Sequence, residues 1–272
     1  MPTLSTVAAF GFADYDPLTV LPLYRRLGCR SSQFLRNSQN PPDPADVRRR
    51  VEDLGMPFDS MHGLFGPEID ISSPNPAVRS TSLDVYRGEG ELALELGGPL
   101  VVVHPGPTTG GLEPPGEQAA LRIDPIKHAI DHLGATGEQL GVTYTIENLP
   151  GEYRFGHDPV QIADLVRQAG HPNVHMCFDT GHAHMTTQPA AALEHCLDVI
   201  TYVHLHDNDG HKDSHLVPGE GTCDFDAIAG LLNSLPDDVP IMLELFESVA
   251  SLTRHIESGL ADQLRRWLPD VL

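Results

Sequence analysis

The chain has 272 residues, with 38 acidic residues against 17 Lys and Arg, and a formal net charge of −21. Its length fits one complete (β/α)8 barrel, and its 40% apolar residues are typical of a globular domain. No apolar run approaches the roughly 20 residues that a membrane span needs. The negative charge disfavours nucleic acid as a partner because it repels polyanions at long range, although a local basic patch can oppose it.

The N-terminal segment and the cysteines bear on the cellular compartment. Residues 1–16 contain neither the basic segment nor the apolar run of a secretory signal, so we expect a cytoplasmic protein with no membrane association. The cysteines, at positions 29, 177, 196 and 223, form no CxxC pair and no disulfide framework. We interpret them as structural thiols, so a bound metal would be held by nitrogen and oxygen.

Short β-rich segments alternate with longer amphipathic segments along the chain. The predicted strands are 7–13, 31–36, 58–63, 100–104, 142–148, 174–179, 200–206 and 240–246. The predicted helices include 75–97, 117–140, 158–169, 224–234 and a closing helix near 250–267, with Asp158-Pro159 and Asp224 as helix starts. Eight strand–helix alternations with nearly continuous apolar strands predict an α/β fold, a single (β/α)8 TIM barrel over residues 1–272.

Polar side chains follow the predicted strands where each strand ends. In such a barrel, functional groups lie at the carboxyl ends of the strands and in the loops that follow. The residues at these positions are His62, His104, Glu147, Asp179, His182, His204, His206, Asp213, His215 and Glu244. Each of them alone is compatible with a hydrogen-bonded structural role.

Three of these side chains are carboxylates within apolar strands: Glu147, Asp179 and Glu244. Burying an ionised carboxylate is costly unless it is paired or coordinates a metal. Three carboxylates in one barrel mouth would repel one another, and a divalent cation is the simplest remedy. The neighbouring imidazoles favour Zn²⁺, Mn²⁺, Co²⁺ or Fe²⁺ over Ca²⁺, and we also consider Mg²⁺. His206, two residues after His204, is interpreted as a partner of a ligand or a substrate contact.

Seven short segments carry these polar residues in a recurring order and spacing. They are HG (62–63), HPG (104–106), IENLPG (146–151), DTGHAH (179–184), HLHDND (204–209), DSHLVPGEG (213–221) and LEL (243–245). Together they resemble the xylose isomerase-like TIM barrel, AP endonuclease 2 superfamily, from about strand 2 to strand 8. The pattern is specific for the superfamily and much less specific for the reaction.

One branch of this superfamily contains sugar and sugar phosphate isomerases and epimerases. Resemblance to it implies one divalent metal held by Glu147, Asp179, His204 and Glu244, with the two glutamates also acting as the acid/base pair. The substrate would be a small-molecule sugar or sugar phosphate, and proton transfer would occur at a carbon next to a carbonyl. The expected substrate-binding residues are His182, His206, Arg154 and Arg36. This is the function that the sequence favours.

The alternative branch is endonuclease IV, which cleaves DNA at abasic sites with three zinc ions. Resemblance to it adds the ligands His62, His104, His182, Asp213 and His215, so the sequence leaves one to three metal ions open. The loop after QFLRN (33–37) lacks the arginine and tryptophan of the endonucleases, and Phe65 replaces their tyrosine, which puts duplex recognition in doubt.

The endonuclease resemblance therefore leaves two substrates open for a metal-dependent phosphoesterase, abasic-site DNA or a small phosphoester. A barrel that binds a ligand without catalysis is the least favoured hypothesis. A homo-oligomer stays open.

Overall fold

Eight parallel strands close into a barrel, in sequence order, in the computed structural model, which describes residues 2–13, 15–108, 117–269 and 271. The strands are β1 (Thr3–Phe10), β2 (Ser31–Arg36), β3 (Phe58–His62), β4 (Leu100–Val103), β5 (Thr143–Glu147), β6 (Val174–Asp179), β7 (Ile200–Leu205) and β8 (Pro240–Leu243). Strand β8 pairs with β1, which closes the sheet. The predicted fold class is confirmed.

Helices cover the outside of this barrel. They are α1 (Pro17–Arg26), α2 (Pro44–Asp53), α3 (Pro76–Leu96), α4 (Glu117–Ala120), α5 (Ile123–Leu140), α6 (Pro159–Ala169), α7 (Thr180–Thr186), α8 (Pro189–Cys196), α9 (Phe225–Asn233), α10 (Val249–Glu257) and α11 (Leu260–Trp267). A short 3-10 turn, Leu197–Val199, follows α8. Within the described ranges, no helix combines the length and the apolar character needed to cross a membrane.

Side-chain caps set several helix starts. The Asp158 carboxylate accepts hydrogen bonds from the amides of Val160 and Gln161, and Asp224 accepts one from Ala227, as the sequence predicts for α6 and α9. Proline in the first turn of α6 lacks the amide that would have no helical partner there. These helix starts are therefore explained by local sequence.

The first strand differs from its prediction. The sequence pattern favours 7–13, but β1 spans Thr3–Phe10 because its first residues pair with β8, from Thr3↔Pro240 to Thr6↔Leu243. Gly11 then leaves the sheet with φ +83°, and a Cβ at this position would lie 2.2 Å from the Asn40 carbonyl oxygen. The polar threonines and serine of β1 conceal its strand character in a hydropathy pattern.

Two predicted helices are each divided in two. The segment 117–140 forms α4 and α5, and the residue before α5 is Arg122, whose guanidinium makes a buried ion pair with Asp70. The segment 250–267 lies in α10 and α11, which are separated at Gly259, where φ is +100°. Tertiary contacts and a left-handed glycine override the helical periodicity at these positions.

The parallel register of the barrel brings the polar strand ends together. Asp179, the last residue of β6, is the Cα partner of His204 in β7. Glu147 ends β5, and Glu244 directly follows β8. All four cysteines are buried and free, which supports their interpretation as structural thiols. The barrel core therefore presents nitrogen and oxygen donors at its carboxyl end.

Candidate metal centre

Ten polar side chains converge at the carboxyl end of the barrel in four overlapping groups. Within each group, the potential ligand atoms lie within 4.8 Å of one another. We call three of them the His62 group (His62, His104, Glu147), the His204 group (Glu147, Asp179, His204, Glu244) and the Asp213 group (His206, Asp213, His215). The fourth, Asp179, His182 and His206, connects the last two. All nine ligands implied by the endonuclease resemblance are brought into one site.

The His204 group is the deepest part of the centre. The Nδ1 atom of His204 lies 3.2 Å from Glu147 Oε1, 3.2 Å from Glu244 Oε2 and 3.6 Å from Asp179 Oδ2. His204 is fully buried, so these three carboxylates surround one imidazole nitrogen away from bulk water. This arrangement corresponds to the four-ligand set that both branches of the resemblance share.

The His62 group lies on the other side of Glu147. The Nε2 atoms of His104 and His62 lie 3.1 Å and 3.5 Å from Glu147 Oε2. The Nδ1 atom of His62 lies 2.9 Å from the Gly63 carbonyl oxygen, which can only accept a hydrogen bond. The proton of a neutral His62 is therefore on Nδ1, and Nε2 is free to bind a metal.

The Asp213 group and His182 occupy the loop after β7 and the start of α7. Asp213 Oδ2 lies 3.3 Å from His182 Nε2 and 3.2 Å from His215 Nε2. The Nδ1 atoms of both histidines face backbone carbonyl oxygens, those of Asn148 and Glu244. Both Nε2 atoms are thereby oriented as ligands, in the same manner as in His62.

His215 is held in an uncommon backbone conformation. Its φ of +45° is the only positive φ at a non-glycine residue in the described part of the chain. Such a conformation costs on the order of 1–3 kcal/mol and is found mainly where surrounding contacts impose it. Here the isolated bridge between Asp207 and Leu216 fixes the loop, so the strain orients the imidazole toward Asp213.

His206 lies between the His204 and Asp213 groups. Its Nε2 atom is 3.2 Å from Asp179 Oδ1 and 3.7 Å from Asp213 Oδ1, and its ring stacks on His215 with centroids 4.1 Å apart. A Cβ on Gly181 would lie 2.0 Å from His206 Cε1, so only glycine permits this placement. The contacts agree with the interpretation of His206 as a partner of ligands, which stays a prediction.

The electrostatics of the centre are dominated by its carboxylates and imidazoles. Burial would raise the pKa of each carboxylate, but the neighbouring histidines hold the pKa values of the acidic ligands below their usual range. Although burial opposes it, the same carboxylates raise the pKa of His215 to about 9 and those of His182 and His204 well above 6.5. Burial lowers the pKa of His104. In the absence of a metal, the raised pKa values of His182, His204 and His215 favour protonated imidazoles, which offset part of the carboxylate charge.

Several polar atoms of the centre lack a hydrogen-bond partner although they are buried. They are His104 Nδ1, Glu147 Oε2, Asp179 Oδ2, His206 Nε2, Asp213 Oδ1 and Glu244 Oε2. A buried polar atom without a partner is costly, and a coordinated cation removes that cost for oxygen and unprotonated nitrogen. The residues present therefore fit divalent metals with nitrogen and oxygen ligands, such as Zn²⁺, Mn²⁺, Co²⁺ or Fe²⁺.

A cavity of about 250 Å³ opens directly onto the ligands. Its other walls are Leu35, Phe65, Tyr153 and Phe246. The Phe65 ring lies 4.7 Å from the ring of His104, and the Phe246 ring lies 5.2 Å from that of His215, in each case between centroids. A substrate that reaches the metal centre therefore passes between aromatic side chains.

The two arginines predicted to bind substrate lie away from this cavity. Arg36 is partly buried, and its guanidinium makes two hydrogen bonds to the Glu89 carboxylate, at 3.0 Å and 2.6 Å. Glu89 also accepts a hydrogen bond from the Leu64 amide, so Arg36 helps to hold the loop after β3. Arg154 is exposed, and its backbone amide bonds to the Pro107 carbonyl. Their proposed substrate roles stay predictions.

Sequence reasoning missed Gln33, Tyr153 and Phe246 as parts of the site. Gln33 is fully buried in β2, and its side-chain Nε2 lies 3.3 Å from His204 Nε2. Its signal was present in the sequence, because a glutamine in the middle of a predicted barrel strand raises a burial problem like that of Glu147. The two aromatic residues lie in loops, where composition alone does not predict which side chains face a cavity.

A family model places most of the chain in a known family. The model described as xylose isomerase-like TIM barrel matches residues 21–271. An uncharacterized protein of Methanocaldococcus jannaschii, MJ1311, is 29% identical over 189 residues, which cover 68% of this chain and 63% of that protein. The match therefore spans less than two thirds of that relative's length.

Two further comparisons involve proteins with functional names. A probable endonuclease 4 of Halobacterium salinarum is 28% identical over 194 residues, which cover 65% of this chain and 67% of that protein. A solved structure of L-ribulose 3-epimerase superposes with a TM-score of 0.77 at 19% identity, covering 98% of this chain and 96% of that one. At that identity, the structural likeness shows the fold alone.

Proposed function

This chain belongs to the xylose isomerase-like TIM barrel family, and we propose that it is a metal-dependent phosphoesterase with a multinuclear centre that acts on a small phosphoester. The sequence favours the isomerase or epimerase branch, with the phosphoesterase as alternative. The geometry of one residue, Glu147, leads us to prefer the phosphoesterase over the isomerase or epimerase.

Glu147 carries the proposal because its two carboxylate oxygens face different sets of histidines. Oε1 lies 3.2 Å from His204 Nδ1, and Oε2 lies 3.1 Å and 3.5 Å from the Nε2 atoms of His104 and His62. A carboxylate placed in this way could contribute one oxygen to an ion held by the His62 group and the other to an ion held by the His204 group. A glutamate that removes a substrate proton needs an oxygen directed at the substrate carbon instead. Its arrangement therefore favours a multinuclear centre over a two-glutamate proton transfer.

Different residues of the chain would bind the metal ions, position the ligands and exclude water around a phosphoryl group. The His62 and His204 groups would hold the ions, together with His182, Asp213 and His215. Divalent ions bound there would supply Lewis acids that polarise the phosphoryl oxygens and acidify a water. His206 would hold the Asp179 and Asp213 carboxylates in place, and the aromatic walls of the cavity would exclude bulk water.

The chemical balance of the reaction is simple hydrolysis. A bond forms between the water oxygen and phosphorus while the ester P–O bond breaks. The alcohol leaves with a proton, and the second proton of the water goes to solvent or to a neighbouring carboxylate. No oxidant, reductant or second substrate is needed.

The cavity and the charge support a small substrate. A volume of about 250 Å³ between Phe65 and Phe246 accommodates one phosphoryl group and part of its ester. The net charge of −21 repels a polyanion such as duplex DNA. An oligonucleotide with an abasic site should therefore be a poorer substrate than a small phosphodiester.

Metal analysis and a hydrolysis assay on the purified protein test the proposal. We expect more than one zinc or manganese ion per chain and release of p-nitrophenol from bis(p-nitrophenyl) phosphate. Glu147→Gln should abolish hydrolysis and lower the metal content, because a neutral amide cannot bridge two ions. Glu138→Gln, at an exposed position of α5, should change neither. One ion per chain, together with proton exchange at a ketose carbon, would overturn the proposal.

A sugar isomerase or epimerase is the second candidate, favoured by one specific observation. Glu147 Oε1, at the end of β5, and Glu244 Oε2, directly after β8, each lie 3.2 Å from His204 Nδ1, so both could contact a substrate bound to one metal ion in the His204 group. Asp213→Asn separates the two candidates, since a single metal in the His204 group does not use Asp213. Loss of hydrolysis in this variant supports the phosphoesterase, and retained epimerisation of a ketose supports the second candidate.

A further inference from the structure

We infer that an apolar trough beside the metal centre binds an uncharged, ring-bearing alcohol portion of the substrate. This inference rests on the proposed phosphoesterase and names the class of its ester group. We define the trough by its described lining residues: Ala9, Phe12, Ala13, Tyr15 and Phe246. It has a volume of about 420 Å³, which lies within the range of small-molecule sites.

Phe246 connects the trough to the metal centre. Its side chain lines both the 420 Å³ trough and the 250 Å³ cavity at the ligands. On the metal side, the ring meets His215 edge to face, with centroids 5.2 Å apart and an interplanar angle of 77°. A phosphoryl group at the ligands would therefore direct its ester oxygen past Phe246, and the ester group would continue into the trough.

The surface of the trough is unusual for this chain. Phe12 is 42% exposed, Phe246 is 44% exposed and Val249, at the adjoining outer cavity, is 43% exposed. Among the described residues that line the trough, none is charged, although the chain has a net charge of −21. Exposed apolar side chains gathered in one place on an acidic surface indicate a binding site for an apolar group.

Tyr15 lines the trough with the apolar part of its side chain. Its hydroxyl oxygen has almost no accessible surface, so a ligand in the trough does not reach it. Burial raises the pKa of Tyr15, so the hydroxyl adds no charge beside the trough. The described lining residues therefore suit an uncharged ring.

The outer end of the trough excludes a second anionic group. At this outer end, the trough adjoins a larger cavity whose lining includes Phe12, Tyr15, Asp16 and Val249. The Asp16 carboxylate, which caps α1, would repel a negatively charged ester group. The trough therefore favours an uncharged aromatic or alicyclic alcohol over a nucleotide or a second phosphate.

Binding of paired phosphonates to the metal-loaded protein tests the inference. We expect 2-phenylethylphosphonate to bind about tenfold more tightly than ethylphosphonate, because the trough buries the ring. Phe12→Ser should reduce that ratio about fivefold and leave the dissociation constant of ethylphosphonate unchanged. Leu94→Ser, an exposed apolar position on α3, is the matched control and should change neither value. Equal affinity for the two phosphonates, or a ratio that survives Phe12→Ser, would overturn the inference.

A neutral probe separates failure of the trough from failure of the proposed function. Benzyl alcohol carries the ring and one oxygen but no phosphoryl group, so its binding does not need the metal ions. By saturation-transfer NMR on the metal-free protein, we expect a signal that Phe12→Ser abolishes and Leu94→Ser leaves unchanged. If neither phosphonate binds but benzyl alcohol does, the proposed phosphoesterase function is wrong, while the trough is supported as a binding site for a ring. No benzyl alcohol signal in the parent protein would refute the trough itself.

Discussion

The side-chain Nε2 of Gln33 lies 3.3 Å from the Nε2 of His204 inside the barrel. The same Gln33 nitrogen lies 3.2 Å from Ser60 Oγ, while Gln33 Oε1 is buried without a partner. His204 faces the carboxylates of its group with Nδ1, so a metal there requires Nδ1 to be unprotonated and Nε2 to carry the proton. The amide orientation of a glutamine is assigned from its partners, and a metal-bound His204 requires Gln33 to present its oxygen to Nε2–H.

We therefore predict that Gln33 fixes the metal-binding tautomer of His204. Gln33→Leu should weaken metal binding at the His204 group about 10- to 100-fold, measured by competition with a chelator. Gln33→Glu keeps an acceptor oxygen and should restore most of the affinity. Long-range ¹H–¹⁵N spectra should show the Nε2–H form in the parent and Gln33→Glu proteins and mixed tautomers in Gln33→Leu.

Gln168→Leu, at an exposed position of α6, is the control for this experiment. It should bind metal as the parent protein does. If Gln33→Leu also retained parental affinity with an unchanged tautomer, Gln33 would have only a packing role.

The metal-free protein should lose stability as the pH rises from about 6.5 to about 9. In the folded state, carboxylates raise the pKa of His215 from 6.5 to about 9, although burial opposes them. A histidine whose pKa is higher in the folded state than in the unfolded state stabilises the fold. This stabilisation is complete at pH values below the unfolded-state pKa and is lost as the pH rises through the folded-state pKa. His182 and His204 act in the same direction.

Denaturant unfolding at several pH values, with and without a chelator, measures this effect. Metal-loaded protein should lack the decline, because coordination replaces the protons on the histidines. His215→Gln should flatten part of the decline in the metal-free protein. Stability that rises between pH 6.5 and 9 without metal would contradict the prediction.

Gly181→Ala should destabilise the protein by about 2–4 kcal/mol. The added Cβ would lie 2.0 Å from His206 Cε1, and His206 is packed between Asp179 and His215. The imidazole would have to leave that position, so metal binding at the Asp213 group should weaken as well. Gly230→Ala is the control, because a Cβ at Gly230 in α9 meets no atom within 4 Å. It should be neutral or stabilising in thermal unfolding.

Arg122→Ala should lower the free energy of unfolding far more than the substitution of a surface arginine. Arg122 is buried, and its Nη1 lies 2.8 Å and 2.9 Å from the two Asp70 oxygens and 2.8 Å from Ser72 Oγ. Breaking a buried pair leaves an uncompensated charge and costs about 3–5 kcal/mol. The exposed pair of Arg167 and Asp198 gives the comparison, and Arg167→Ala should cost about 1 kcal/mol or less. Equal losses in denaturant unfolding would show that the Arg122 pair is not a structural anchor.

Much of the barrel follows from sequence because its signals are periodic. Eight apolar segments alternate with amphipathic ones, and the carboxylates of Glu147, Asp179 and Glu244 interrupt or follow apolar strands where only pairing or a metal explains them. The sequence pattern did not predict that two helices end early. The helix boundary at Arg122 depends on an ion pair with the distant Asp70, and the boundary at Gly259 depends on a left-handed turn. The start of β1 depends on pairing with β8, which a local pattern does not contain.

The site shows the same division between local and long-range information. Strand-end positions predicted which residues meet, because the carboxyl ends of parallel strands share one rim. Strand-end positions did not predict that the two oxygens of Glu147 face different histidines or that Gln33 contacts His204. Both contacts depend on side-chain rotamers across the barrel. Those rotamers, rather than the list of ligands, favour a phosphoesterase over an isomerase.

A Glu147 carboxylate shared between two ions would also make the two adjoining ion sites thermodynamically interdependent. The first ion to bind would fix the side-chain torsions of Glu147, so the second ion would meet an oxygen that is already oriented. By linkage, the factor by which the first ion changes the affinity for the second would be the same if the two ions bound in the opposite order. Metal uptake by the His62 and His204 groups would then be one coupled process, and a chelator that empties one of them would weaken metal binding at the other.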